Sequence, residues 1–290
     1  MSNTFQVFRR IQKLQTRYLK ALSGKESLLR LIYESEVTEQ VYNSNAIENS
    51  TLSFEETDKI LNQIDLDRFV NERELFEAKN LARVVGYIDQ KATKETLSLD
   101  IMLLLHKMLI SNIRDDIAGR FRKSDEWVRV GNHIATDPSM VIEQLENMMV
   151  AYLTSAQESI ITRIARVHLS FEHIHPFVDG NGRIGRVFNN YLLIREGHVP
   201  INIKFIDRNV YYDAFAAFDK KSDLSLMEQI VGKAITSSYH KRLAYLEGKQ
   251  IIPLVEYAKD SKESHSNLLN KANRQTIEAF WERGVWKIGV

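Results

Sequence analysis

The chain has 290 residues, 44% hydrophobic and 27% charged, with a net charge of +1 at pH 7. That balance excludes a disordered chain and gives no overall pull toward nucleic acid. With no cysteine there is no disulfide, no thiolate zinc site and no cysteine nucleophile, which fits a reducing, cytoplasmic setting. Only 12 Gly and 4 Pro punctuate the sequence, so few turns interrupt it and an all-α fold is expected. No apolar run reaches the ~20 residues of a membrane span. The stretch from Met1 to Lys20 carries Arg9, Arg10, Lys13, Arg17 and Lys20 without an acid. It lacks the apolar region of a secretory signal and reads as a solvated helix face.

Residues 25–85 contain neither Gly nor Pro and predict helices joined by short polar turns. Leu75, Ala78, Ala82 and Val85 keep helical spacing. Ile101, Leu104, Leu105, Met108 and Leu109 form one stripe of a helix over 99–113. Glu126-Trp-Val-Arg-Val130 and His133-Ile-Ala-Thr136 read as two short strands about a Gly131-Asn132 turn, with Gly first as in a type II′ hairpin. An isolated hairpin is marginal in water, so this one must lean on the helices. Ile160, Ile164, Val167, Phe171 and Ile174 then step by four and three along a helix that must stop at His175, before Pro176. A further helix runs from about Gly182 to Glu196, burying Ile184, Val187, Phe188 and Tyr191, with Gly197 as its C-terminal stop.

Between these two helices stands His175-Pro-Phe-Val-Asp-Gly-Asn-Gly-Arg-Ile-Gly-Arg186. Glycines 180, 182 and 185 let backbone N–H groups at a helix start approach an anion. Arg183 and Arg186 share one face of the first turns, where the helix dipole disfavours cations. Two arginines set against the dipole point to an anion between them, and a polyphosphate fits. Asp179 offers a hard oxygen for Mg²⁺, His175 can remove a proton, and Asn181 can donate to a phosphate oxygen. On their own, Asp179 and Asn181 are also ordinary helix caps. His173 and His175 have the spacing of a metal pair, but no third ligand stands near them in the sequence.

The run resembles the H-P-F-x-x-G-N-G-R-x-x-R signature of the Fic (filamentation induced by cAMP) domain at every specified position. The resemblance implies a helical bundle that binds ATP with Mg²⁺ and transfers AMP to a hydroxyl of a target protein, itself included. Doc-type relatives, which phosphorylate instead, usually carry Lys where this chain has Gly182. It further implies His175 as the base and Asp179 as the Mg²⁺ ligand. Asn181 and Arg183, with the backbone of Gly180 and Gly182, would hold the α- and β-phosphates, and Arg186 the γ-phosphate. Gly119-Arg-Phe121-Arg122 followed by Val130-Gly131 resembles the lead-in and flap of the family, in which Val128, Val130 and Gly131 would dock a target strand. Tyr211-Tyr212 resembles a tyrosine pair beside the base, with Tyr212 as the contact. The Asn expected some eight residues further on is replaced at Phe218-Asp219-Lys220.

Ser44-Asn-Ala-Ile-Glu48-Asn49 matches the family's S/T-x-x-x-E-G/N inhibitory motif, which implies that Glu48, on a helix over about 40–50, pairs with Arg186. The expected organisation is therefore an N-terminal helical region (1–95), a catalytic core with its β-hairpin flap (96–245) and a tail (250–290). The tail resembles a small winged-helix module, with a helix, a turn and a short wing at Gly284. Its 6 Lys/Arg against 5 Asp/Glu leave a net charge of only +1, so a packing or target-recruiting lobe stands ahead of a DNA-binding one. The expected activity is an ATP-dependent protein adenylyltransferase held back by Glu48. A de-AMPylating hydrolase and a DNA-binding regulator that senses nucleotide are the alternatives. Members of the family often dimerise, which would add a second copy of this chain as a partner.

Overall fold

A computed structural model describes residues 3–131 and 133–290, which form twelve α-helices and five short strands. Four helices come first: α1 (Asn3–Leu22), α2 (Glu26–Ile47), α3 (Phe54–Leu61) and α4 (Glu72–Lys91). Next are α5 (Leu99–Ile110), the hairpin strands β1 (Arg129–Val130) and β2 (His133–Ile134), α6 (Val141–Thr154) and α7 (Ile160–Ile174). Then follow α8 (Asn181–Arg195), α9 (Arg208–Lys221) and α10 (Ser225–Leu246). The tail holds β3 (Ile251–Pro253), α11 (Leu254–Asp260), α12 (His265–Asn273), β4 (Ala279–Glu282) and β5 (Val285–Gly289). No helix among the described residues is long and apolar enough to cross a membrane.

The apolar positions read for α7 and α8 are all buried, and the two helices pack together as the centre of the main core. α5 differs from expectation. Leu104 is exposed, and the buried stripe is Met102, Leu105, His106, Leu109 and Ile110. The helix is apolar almost all round, so spacing alone could not choose its inner face. α1 lies along α10 through Ile11, Leu14 and Tyr18, the last edge-on to Tyr239 at 5.6 Å. The basic face of α1 is not merely solvated. Arg10 donates to the Gln275 carbonyl, and Arg17 clamps Glu247 and Glu278, so this face docks on the tail.

α2 begins at Glu26, far ahead of the expected 40–50. Its second half is polar yet buried: Glu36, Glu39, Gln40, Asn43 and Ser44 are all covered. Lys241 of α10 holds it, with Nζ 3.6 Å from Glu36, 3.5 Å from Glu39 and 3.0 Å from Glu282, while Arg242 pairs with Glu36. Charges this buried need their partners, and removing one typically costs about 3–5 kcal/mol. α2 ends because Asn49 takes the left-handed conformation at φ 70°, returning the Asn49 and Ser50 N–H groups to the Ala46 and Asn45 carbonyls. Only Gly or Asn does this readily, which gives the last position of the Ser44–Asn49 motif a physical reason.

The hairpin is shorter than the 126–136 reading, with Arg129 opposite Ile134 and Val130 opposite His133. Gly131 has φ 57°, as the first turn residue requires; Asn132 lies outside the described residues. Ala135 N–H to the Val128 carbonyl extends the ladder by one bond. The tail is a β3–β5–β4 antiparallel sheet over α11 and α12, with its own small core of Leu254, Leu268, Ala272, Ala279 and Ile288. Its wing turns at Arg283 and Gly284, both at positive φ.

Candidate active site

His175 caps the C-terminus of α7 at φ 51°, a strained conformation for a residue with a side chain. Buried Arg122 holds it there. Its guanidinium donates to the carbonyls of His175 at 2.7 Å, Ile174 at 3.2 Å, Glu126 at 2.9 Å and Thr136 at 2.6 Å. Its backbone N–H donates to the Pro176 carbonyl. One side chain of the Gly119–Arg122 lead-in thus ties the base of the hairpin to the His175 turn. The Nδ1–H of His175 points at the Glu172 carbonyl, 3.3 Å away, which leaves Nε2 as the free acceptor. Burial pushes the imidazole down to about 4, so it is neutral and ready to accept a proton at pH 7.

The loop that follows folds back on itself. Asn181 accepts from the Phe177 N–H and donates to the Phe177 carbonyl, so its amide closes the 177–181 loop and neither caps α8 nor points outward. Gly180 opens α8 at φ 84°, where a Cβ would come within 3.0 Å of Ile110. Beneath the loop, His106 accepts from the Gly119 N–H through Nδ1 and donates through Nε2 to the Asp179 carbonyl. Its ring stacks on Phe177 at 3.8 Å. Burial holds this imidazole down at about 4, so it stays a neutral bridge.

Both oxygens of Asp179 meet guanidinium groups: Arg73 from α4 at 2.6 Å and Arg183 at 3.3 Å. Arg73 and Arg183 also share Glu77, at 3.0 and 2.9 Å, closing a ring of two cations and two carboxylates. Burial works to raise the Asp179 carboxyl, but Arg183 and Arg73 together hold it below the ordinary range, so it is ionised. An ionised carboxylate beside a glycine-headed helix start suits Mg²⁺, which takes one or two carboxylates beside substrate phosphates.

Arg186 is buried and fully engaged. Nε donates to Ser44 Oγ at 2.9 Å, Nη1 to the Tyr211 hydroxyl at 3.1 Å, and Nη2 to the Ser44 carbonyl and Glu48 Oε1, both at 2.8 Å. The Glu48–Arg186 pair expected from the motif is present, and Ser44 proves to be the second half of the same clasp. Gly182 makes room for it: a Cβ there would lie 2.2 Å from Glu48 Oε1. Tyr212 is half-exposed and gives its hydroxyl to the Ile47 carbonyl at 3.1 Å, holding the end of α2. Tyr211, its neighbour, is the one that reaches Arg186.

Sequence reasoning missed Arg73, Glu77 and Glu172. The first two are visible only as an ordinary i,i+4 pair on α4. Glu172 is largely buried, with its Oε1 inaccessible and unpartnered beside the space a Gly185 Cβ would fill. Burial, reinforced by the nearby Glu48 charge, pushes it up to about 8. The buried Nδ1 of His168 is likewise unpartnered, while its Nε2 accepts from the Tyr211 hydroxyl at 2.7 Å. Of the flap residues, Val128 is half-buried and Val130 and Gly131 are exposed. The hairpin reaches α7 through His133, whose Nε2–H donates to the His173 carbonyl at 3.0 Å.

Residues 96–193 match the Fic/DOC family. Proteins named protein adenylyltransferase Fic from Drosophila yakuba and Drosophila melanogaster are 27% identical across 94% of this chain. The chain spans 58% of the length of those relatives. Among solved structures, a Fic domain containing signaling protein from Bacteroides thetaiotaomicron has a TM-score of 0.73 at 20% identity, covering 83% of this chain and 97% of its own. Fic-1 from C. elegans has a TM-score of 0.67 at 25% identity, covering 84% of this chain and 72% of its own.

Proposed function

We propose that this chain, which carries a Fic domain over residues 96–193, is an ATP-dependent protein adenylyltransferase restrained by Glu48. One arrangement carries the reading: a neutral His175 with Nε2 free stands beside a glycine-headed helix start that bears Arg183 and Arg186. The hydroxyl of a target side chain gives its proton to His175 Nε2 as its oxygen attacks the α-phosphorus. A P–O bond forms, the bond to the bridging oxygen of the β-phosphate breaks in line, and pyrophosphate leaves with that electron pair. Arg122 contributes by fixing the backbone turn at His175 before substrate arrives, and the backbone N–H groups at Gly180 and Gly182 would face the phosphates. Asp179 would hold Mg²⁺, which supplies neutralisation of phosphate charge.

The restraint is electrostatic and steric together. Arg186 is the group expected to receive the γ-phosphate, and Glu48 occupies its fork. Freeing the fork requires α2 to shift or the Glu48 side chain to rotate away. The Glu48 side chain is 35% exposed, so it could instead orient water for hydrolytic removal of AMP. We retain the division into an N-terminal region, a catalytic core and a tail at 1–95, 96–245 and 250–290. The tail reads as a packing or recruiting lobe, since its net charge of +1 offers little to a phosphate backbone.

ATP labelled at either phosphate tests the reaction. α-Label entering Glu48→Gly protein or an added acceptor, with none from γ-labelled ATP, is the expected result. Transfer of γ-label alone would make the chain a kinase. No transfer of either label to any acceptor, with sequence-specific DNA retention, would favour the regulator reading.

A further inference from the structure

The hairpin strand β2, the last turn of α7 and the end of α9 bring His133, His173 and Asp219 together, with one ligand atom from each within 4.8 Å of the others. We propose that these three side chains form a Zn²⁺ site that clamps the hairpin to α7 and α9, separate from the Asp179 position. The proposal does not depend on which reaction the chain performs.

The sequence hid this site because its ligands are 40 and 46 positions apart. His173 has the spacing of a metal pair with His175, yet that pair does not form. His175 turns its Nδ1–H to the Glu172 carbonyl, whereas His173 Nδ1 lies 2.9 Å from Asp219 Oδ1. Asp219 stands where the family resemblance led us to expect an Asn, and it exchanges a neutral amide for an anionic ligand. His133 stacks on His173 with ring centres 4.0 Å apart.

Three features suit a metal. Two imidazoles and one carboxylate are the donor set that Zn²⁺ takes at sites with an open fourth position. The Nε2–H of His133 is already held by the His173 carbonyl at 3.0 Å, which fixes the tautomer and leaves Nδ1 as the ligand atom. That second hydrogen bond is the usual companion of a metal-bound histidine. The side chains of His173 and Asp219 are 41% and 32% exposed, so an ion and its remaining water can enter. Tetrahedral bonds of about 2.0–2.1 Å place ligand atoms about 3.3 Å apart, a closure that small side-chain rotations supply.

The consequence lies in the hairpin. It is only two paired residues long on each side, anchored by Arg122 at its base and, nearer the turn, by the hydrogen bond and stacking of His133 on His173. A bound ion would hold β2 two residues from His175 along α7.

The test uses the full, tag-free chain, stripped with EDTA and titrated calorimetrically with Zn²⁺ under excess Mg²⁺. One Zn²⁺ per chain is expected, with affinity falling at least about tenfold in His133→Gln and in Asp219→Asn. No binding, or binding that both variants retain, overturns the proposal. Co²⁺ added to the wild-type chain gives a reading free of any variant. An intense visible band of a four-coordinate ion supports the site, and the spectrum of aqueous Co²⁺ contradicts it.

Discussion

Glu48 and Arg186, 138 positions apart in the chain, meet at 2.8 Å over the start of α8, at the one point where Gly182 leaves room for a carboxylate. The contact joins an N-terminal helix to the start of α8, and it gives the glycine at 182 a steric reason beside the nucleotide role proposed for it.

That double duty predicts a coupling. Gly182→Ala should carry a steric cost in the wild-type chain, set against the roughly 1 kcal/mol that Gly→Ala gains inside a helix, because the new Cβ meets Glu48 Oε1. In the Glu48→Gly background the space is free and the cost should shrink, for a coupling of about 1 kcal/mol between contacting positions. Denaturant unfolding of the four proteins measures it; additive effects would mean the Gly182–Glu48 approach is unimportant.

In the Glu48→Gly chain, His175→Ala should lower transfer by about 10²–10⁴-fold, the range for a positioned base. Nucleotide affinity should stay nearly unchanged, since the base acts mainly in the transition state. Equal loss of ATP affinity by calorimetry would recast His175 as a residue that shapes the loop.

Arg73 competes for Asp179. Its Nη2 lies 2.6 Å from Oδ2, so removing it should leave that carboxylate more open to Mg²⁺. Arg73→Ala is expected to lower the Mg²⁺ concentration for half-maximal transfer several-fold in the Glu48→Gly chain. A higher requirement would show that Arg73 itself holds the nucleotide.

Glu172 predicts a pH effect on stability. Its folded pKa, pushed up to about 8, lies above the unfolded value, so the folded chain holds the proton more tightly. The stability this confers is full below about pH 4.5 and is lost as pH rises through 8. Glu172→Gln stays neutral and escapes that loss. It should raise the melting temperature at pH 8.5 by about 2–4 °C for each kcal/mol regained, and leave it unchanged or lower at pH 5. A rise of equal size at both pH values would contradict the titration of Glu172.

The site was legible where it is local. The 175–186 run carries its own turn, glycines and charges within twelve residues, and α7 and α8 announce themselves through strict apolar spacing. Glu48 was legible through a motif whose Ser44 and Asn49 now have physical reasons: one bonds Arg186, the other stops the helix. What stayed hidden is what the fold brings in from elsewhere. α2 buries a polar face, so no periodicity marks its start. Arg73 and Glu77 look like any surface pair until α4 sets them against Asp179. His133, His173 and Asp219 come from three elements and share no spacing at all.

The most direct test is intact-mass measurement after incubation with Mg²⁺-ATP of the wild-type chain, Glu48→Gly and Glu48→Gly/Arg186→Gly. Little change is expected in the wild type, with a gain of one or more AMP units in Glu48→Gly and loss of that gain in the double variant. Equal modification of wild type and Glu48→Gly, or a gain that survives removal of Arg186, would contradict restraint through this pair.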